Sequence, residues 1–158
     1  MGREIERKFL VDHARWKPGS VPGERFVQGY LCVEPDRTVR VRTEGRRGVL
    51  TIKGRTESLT RPEFEYTIPL ADAQELLDLC MKPLIHKTRY RIDVEGSLWE
   101  VDVFGGANAG LIVAEIELAT EDAHFHRPEW LLKEVTGDAR YGNSSLAQAP
   151  YTSWRSDL

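Results

Sequence analysis

The chain has 158 residues, 30% of them charged and 41% hydrophobic, and its 22 Lys and Arg nearly balance 25 Asp and Glu, for a formal charge of −3. That length suits one domain with a sizeable core, and the even mixing of signs argues against general binding of nucleic acid or of a membrane surface. No apolar run approaches a membrane span or a secretion signal, and Cys32 and Cys80 lack metal-type spacing, so a reduced, cytoplasmic setting is expected.

A first strand is expected over 4–11, where alternation puts Glu4, Glu6 and Lys8 on one face and Ile5, Arg7, Phe9 and Val11 on the other. Residues 16–23 form a Pro- and Gly-rich connection. A strand over 25–33 follows, with Gln28 and Tyr30 sharing a face. The turn Glu34-Pro35-Asp36 then starts a hairpin into 38–43, where Arg40 and Arg42 oppose Val39 and Val41. A turn at 44–48 leads to a strand over 50–53 with Thr51 opposite Ile52 and Lys53 beside it. A polar loop over 54–62 precedes a strand in which Glu63 and Glu65 oppose Phe64 and Tyr66.

Asp72 with Glu75 three residues on predicts a capping-box start for a helix through Leu76, Leu77, Leu79 and Cys80, stopped by Pro83. Strands are then expected over 84–94, 98–104 and 111–118. They carry Lys87, Arg89 and Arg91, then Glu100 and Asp102, then Glu115 and Glu117. The tail predicts short helical turns over 121–132, with Pro128 at a helix start, and a loop followed by another turn of helix over 138–146.

The elements add up to an α+β, mainly β chain whose eight antiparallel strands suffice to close a small barrel and remove its sheet edges, with a few helices packed outside. A half-exposed sheet with its charged alternates in water is the simpler arrangement. The charges, however, are sorted by strand, with carboxylate pairs at Glu4/Glu6, Glu63/Glu65, Glu100/Asp102 and Glu115/Glu117 and cation pairs at Arg40/Arg42 and Lys87/Arg89. A solvated sheet gains from mixing signs across strands, so the sorting points to a charged interior with ligands of its own. Paired carboxylates suit Mg²⁺ or Mn²⁺, and clustered Arg and Lys match phosphate oxygens. Together they describe a site for a phosphate chain, where carboxylate-held metal lowers the pKa of an attacking water.

Glu4-x-Glu6-x-Lys8 resembles the ExExK signature of the CYTH superfamily, the triphosphate tunnel metalloenzymes. Arg40-x-Arg42, Lys53, Glu63-x-Glu65, Lys87-x-Arg89, Glu100-x-Asp102, Glu115-x-Glu117 and the closing segment 137–143 follow in the family's order over nearly the whole chain. The resemblance implies a single tunnel domain over 1–158, a closed eight-stranded antiparallel barrel that binds a triphosphate with Mg²⁺ or Mn²⁺. It implies Glu4, Glu6, Asp102, Glu115 and Glu117 as metal ligands, and Lys8, Arg40, Arg42, Lys53, Lys87, Arg89 and Arg140 as phosphate contacts. Glu4, Glu6, Lys8, Lys87, Glu115 and Glu117 would carry the catalysis, supported by Glu63, Glu65, Arg91, Glu100, Asp138 and Tyr141. Glu63 and Glu65 are equally open to pairing with Arg89 or Arg91 to hold the tunnel in shape, and Arg140 with Asp138 and Tyr141 is expected at a lid. His13, His86, His124 and His126 fall off the ionic faces, and Trp16, Trp99, Trp130 and Trp154 are expected in the outer packing.

Hydrolysis of inorganic triphosphate to phosphate and pyrophosphate is the expected reaction, because the short chain carries no added domain for nucleic acid or polyphosphate. Cyclisation of ATP to cyclic AMP and pyrophosphate, as in class IV adenylyl cyclases, requires an adenine pocket at the tunnel mouth. Hydrolysis of thiamine or nucleoside triphosphates is a further alternative. A non-catalytic binder of phosphate chains would need the cations without this many carboxylates. The expected partner is a small-molecule triphosphate, and the expected state a monomer or homodimer.

Overall fold

Strands that alternate charged and apolar residues have one face that needs covering and one that needs counter-charges, and rolling the sheet up separates the two. The computed structural model describes residues 2–158 and takes this course. Nine strands form one antiparallel sheet: β1 (Gly2–Val11), β2 (Glu24–Glu34), β3 (Arg37–Glu44), β4 (Arg47–Gly54), β5 (Thr60–Ile68), β6 (Ile85–Val94), β7 (Ser97–Phe104), β8 (Ile112–Glu117) and β9 (Leu131–Glu134). Their order is β5-β4-β3-β2-β6-β7-β8-β1-β9, and a further β5–β1 pairing closes the first eight into a barrel. Register brings Glu6 opposite Glu117, Lys8 opposite Glu115, Lys53 opposite Glu63 and Arg89 opposite Asp102.

Most of the apolar alternates face outward and are covered in separate pads, while Ile52 and Tyr66 stay exposed. Phe9, Trp99, Val101 and Ile116 pack beneath Phe125 and Trp130, with edge-on ring contacts of 5.7 Å from Trp99 to both Phe9 and Phe125. Helix α1 (Leu70–Leu79) lays Ala73 and Leu77 on Val41 and Leu50. It comes so close that a Cβ on Gly48 would stand 2.8 Å from the Ala73 Cβ, which is why glycine is needed there.

The inner face changes character along the barrel. Charged through most of its length, it ends in Tyr30, Ile85, Phe104 and Val113, which pack against Tyr141, Leu146 and Ala147 of the C-terminal segment. Helix α2 (Asn143–Gln148) thereby stoppers this end. A register shift between Tyr30 and Cys32 makes Leu31 an extra residue in β2, and Val33 joins the same apolar plug.

Two expectations are corrected. Helix α1 starts at Leu70, behind Pro69, with no side-chain cap, so Asp72 lies within its first turn, where the helix dipole favours a carboxylate. Residues 121–130 form no helix. They lead instead into β9, because β5 pairs with β1 only as far as Ile5 and leaves the edge at Phe9 and Val11 open for another strand.

Candidate active site

The barrel encloses a cavity of about 830 Å³, lined on one side by Arg40 and Arg42 from β3, Lys53 from β4 and Arg61 from β5. On the other side stand Glu4, Glu6 and Lys8 from β1 with Glu115 and Glu117 from β8. Gly142, Asn143 and Ser144 of the C-terminal segment contribute to the lining as well.

Glu4 is buried and accepts hydrogen bonds from Lys53 Nζ at 2.8 and 3.0 Å and from Arg61 Nε at 2.8 Å. Burial disfavours its charge, but Lys53 and then Arg61 hold its carboxyl well below the usual carboxylate range. Its neighbours lack such support. Glu6 is pushed up to about 8 by burial and by the charges of Glu115 and Glu4. Glu63 rises to about 7 through burial, its hydrogen bond with Glu4 and the Glu4 charge, although Lys53 lies 3.4 Å away. Glu117 is raised too, by burial and then by Glu4 and Glu100.

This surplus of carboxylate fits a hard divalent cation. Among the described residues no group of three or more His, Cys, Asp or Glu side chains stands ready to enclose an ion unaided. A hard cation bound here would complete its shell with water and substrate phosphates.

The cationic wall carries the opposite imbalance. The Nε atoms of Arg40 and Arg42 are buried without a hydrogen-bond partner. Arg40 donates to Thr51 at 3.3 Å, and Arg42 pairs with Glu44. Burial and then the adjacent Arg40 draw the Arg42 guanidinium down to about 10. A polyanion in the cavity would give the outer nitrogens of both guanidinium groups charged acceptors.

Lys8 stands between the carboxylate wall and the plug, 3.7 Å from Glu115 and 3.4 Å from the Tyr141 carbonyl. Burial works against the charge on Glu115, but Lys8 brings its carboxyl below the usual value.

Asp102 and Lys87, expected at the metal and the phosphate, lie behind the lining. The Asp102 side chain is 1% exposed and accepts from Arg89 at 2.7 and 2.9 Å and from Lys87 at 2.8 Å. Lys87 is fully enclosed, and burial draws it down to about 7. It faces the cavity only through Asn143, which accepts from both Lys87 at 3.2 Å and Gln28 at 3.1 Å.

Arg140 and Asp138 are not brought to the cavity. They bond each other at 2.6 Å, and the guanidinium lies 5.1 Å from the Trp154 ring and 5.7 Å from that of Tyr141. Tyr141 itself is buried in the plug. Arg89 and Arg91 do not pair with Glu63 and Glu65. They hold Glu100 at 3.2 and 3.3 Å, while Glu63 turns to Lys53 and the exposed Glu65 to Arg47.

Arg61 and Glu44 enter the site without having been marked in the sequence, and Asn143, the last residue of the closing segment 137–143, enters it without having been given a role. Arg61 precedes Pro62 in what resembles a polar loop, and only its place across from Glu4 in the β5–β1 register reveals it. Glu44 looks like part of a turn, and Asn143 like an uncharged loop residue.

A family model described as "CYTH domain" matches residues 2–151. An inorganic triphosphatase from Acetivibrio thermocellus is 47% identical over 156 residues, covering 98% of this chain and 99% of its own length. One from Nitrosomonas europaea is 37% identical over 148 residues, covering 91% and 96% respectively. A crystal structure described as that of an inorganic triphosphatase superposes with a TM-score of 0.68 at 36% identity, over 93% of this chain and 95% of its own.

Proposed function

The chain belongs to the CYTH domain family, and from that premise we propose that its cavity hydrolyses inorganic triphosphate to phosphate and pyrophosphate with the help of a divalent metal. One observation carries the reading: a single cavity is lined both by Arg40 and Arg42, each with a buried Nε left unpaired, and by a surplus of carboxylate at Glu6 and Glu117.

Glu6, Glu115 and Glu117, with Glu4, would hold Mg²⁺ or Mn²⁺, which when bound lowers the pKa of water and offsets phosphate charge. Arg40, Arg42, Lys8 and Lys53 bind the phosphate oxygens and fix the chain in line for attack. Arg89 is anchored by Asp102 and Glu100 and keeps its position while presenting its remaining donors to the cavity. The apolar plug shuts one end and keeps bulk water from that side of the chain.

The lining also speaks to substrate. Among the described residues its aromatic member is Tyr30, 5% exposed and part of the apolar plug, so nothing aromatic at the open rim is placed to stack a nucleobase. This favours a bare phosphate chain over ATP. Among the described residues no helix is long and apolar enough to cross a membrane, and Cys32 and Cys80 are free thiols. The two free thiols are what supports a reducing, cytoplasmic setting for the enzyme.

The test is phosphate release from triphosphate and from ATP, each with Mg²⁺, Mn²⁺ or chelator, with cyclic AMP assayed in parallel. Metal-dependent release from triphosphate well above that from ATP is expected. Arg42→Ala should raise the KM for triphosphate about tenfold or more while the barrel stays folded. Cyclic AMP and pyrophosphate from ATP would replace hydrolysis by cyclisation, and an unchanged KM in Arg42→Ala would remove Arg42 from the cradle.

A further inference from the structure

Glu4 lines the cavity beside Glu6 and is the carboxylate there least free to take a metal. Its Oε1 accepts from Lys53 Nζ at 3.0 Å and Arg61 Nε at 2.8 Å, and its Oε2 accepts from Lys53 at 2.8 Å. The residue is 7% exposed, so solvent screens these contacts weakly. A divalent cation approaching Glu4 meets two positive groups already in place, and displacing either leaves a cation without its partner. Lys53 has a second carboxylate in reach, Glu63 at 3.4 Å, whereas the ion pair of Arg61 is with Glu4 alone among the described residues.

Arg61 and Lys53 line the same cavity as Arg40 and Arg42. A phosphate chain cradled by the two arginines therefore competes with Glu4 for both cations, and charged phosphate oxygens are strong acceptors for a guanidinium.

We propose that Arg61 is a positioning residue of the metal site: together with Lys53 it occupies Glu4 until a phosphate chain draws the two cations away and uncovers the carboxylate. The identity of that chain rests on the triphosphatase reading. Metal and phosphate chain then bind with positive coupling, and each raises the affinity of the other by the same factor. Arg61→Gln removes one of the two cations from Glu4 without any phosphate and leaves Lys53 free to shift towards Glu63, so it strengthens the binding of metal alone and weakens the coupling.

The experiment titrates Mn²⁺ into the metal-free full chain with no phosphate present, followed by electron paramagnetic resonance of the free ion. Wild type, Arg61→Gln and Arg61→Lys are compared, with thermal melts run alongside. Arg61→Gln should bind Mn²⁺ about tenfold tighter than wild type, the effect expected when one poorly screened positive charge leaves the neighbourhood of the ion, and Arg61→Lys should bind like wild type. Pyrophosphate, titrated calorimetrically with and without saturating Mn²⁺, should gain affinity from the metal in wild type and gain less in Arg61→Gln. Should Arg61→Gln lose its cooperative melt, Arg61→Met is measured in its place. Mn²⁺ binding to the neutral variants that is no tighter than to wild type overturns the proposal. Because the titration involves no turnover, failure of the triphosphatase reading shows separately, as absent phosphate release in wild type.

Discussion

Glu6→Gln is expected to cut metal-dependent phosphate release about a hundredfold or more and, at the same time, to raise the melting temperature of the metal-free protein. The two effects share one cause. Glu6 faces Glu117 across the β1–β8 register and has Glu4 and Glu115 close by, while the ion pairs in its surroundings go to those two neighbours. Its carboxyl is pushed up to about 8, so the folded chain holds that proton more tightly than the unfolded chain, whose value is 4.5. The resulting stability is fully present below pH 4.5 and is lost as pH rises through 8.

Glu63, pushed up to about 7, acts in the same direction. Lys87, drawn down to about 7 from 10.5, acts oppositely but only above pH 7, since below that it is charged in both states. From pH 5 to 7, therefore, the metal-free wild type should lose stability by up to roughly 2–3 kcal/mol per pH unit, about 1.4 for each of the two carboxyls before solvent screening of Glu63, and Glu6→Gln should cut that slope by about half. Scanning calorimetry in chelator, with phosphate release measured in parallel, decides the matter. Wild-type rates in the variant, or an undiminished pH slope, would sink the assignment of Glu6.

Asp102→Ala is expected to show its effect in stability before activity, at a cost of roughly 3–5 kcal/mol, the range found when one partner of a buried ion pair is removed. Asp102 is 1% exposed and serves two cations, Arg89 through two hydrogen bonds and the fully enclosed Lys87 through a third contact. Truncation strands Lys87 and leaves Arg89 with Glu100 alone. Urea unfolding of the metal-free protein measures this directly, and the same experiment separates two roles. A metal ligand would leave metal-free stability nearly unchanged while activity falls, whereas the clamp seen here fails with no metal present. A loss below about 1 kcal/mol, within the range of an ordinary surface substitution, would contradict the clamp.

The inner wall was largely legible because strand alternation is a strict period of two. Glu4, Glu6, Lys8, Arg40, Arg42, Lys53, Glu115 and Glu117 could be placed on one face from their spacing alone, and closure of the first eight strands puts them around one cavity. What alternation cannot give is depth. Asp102 and Lys87 share that face with Glu100 and Arg89, yet the former pair lies behind the lining and the latter on it. Nor could it give Arg61, whose strand begins inside an apparent loop, or β9, whose four residues earn their place from an edge that another strand leaves open. Arg140 shows the converse, a residue marked by its motif whose charge is neutralised locally by Asp138 two positions away.

Turning the apolar residues outward has an evolutionary consequence. In most small proteins the interior can drift slowly so long as volume is kept, while the surface is free. Where a pad covers this barrel neither side of a strand is free: one residue answers to chemistry and the next to packing, and only uncovered positions such as Ile52 and Tyr66 escape both. In β2 the rhythm slips by one position at Leu31, the residue at which the register shifts. Tolerance to substitution is thereby pushed towards the uncovered strand positions, the turns and the long connection before β9. New specificities of this scaffold would have to arise mainly at its rim.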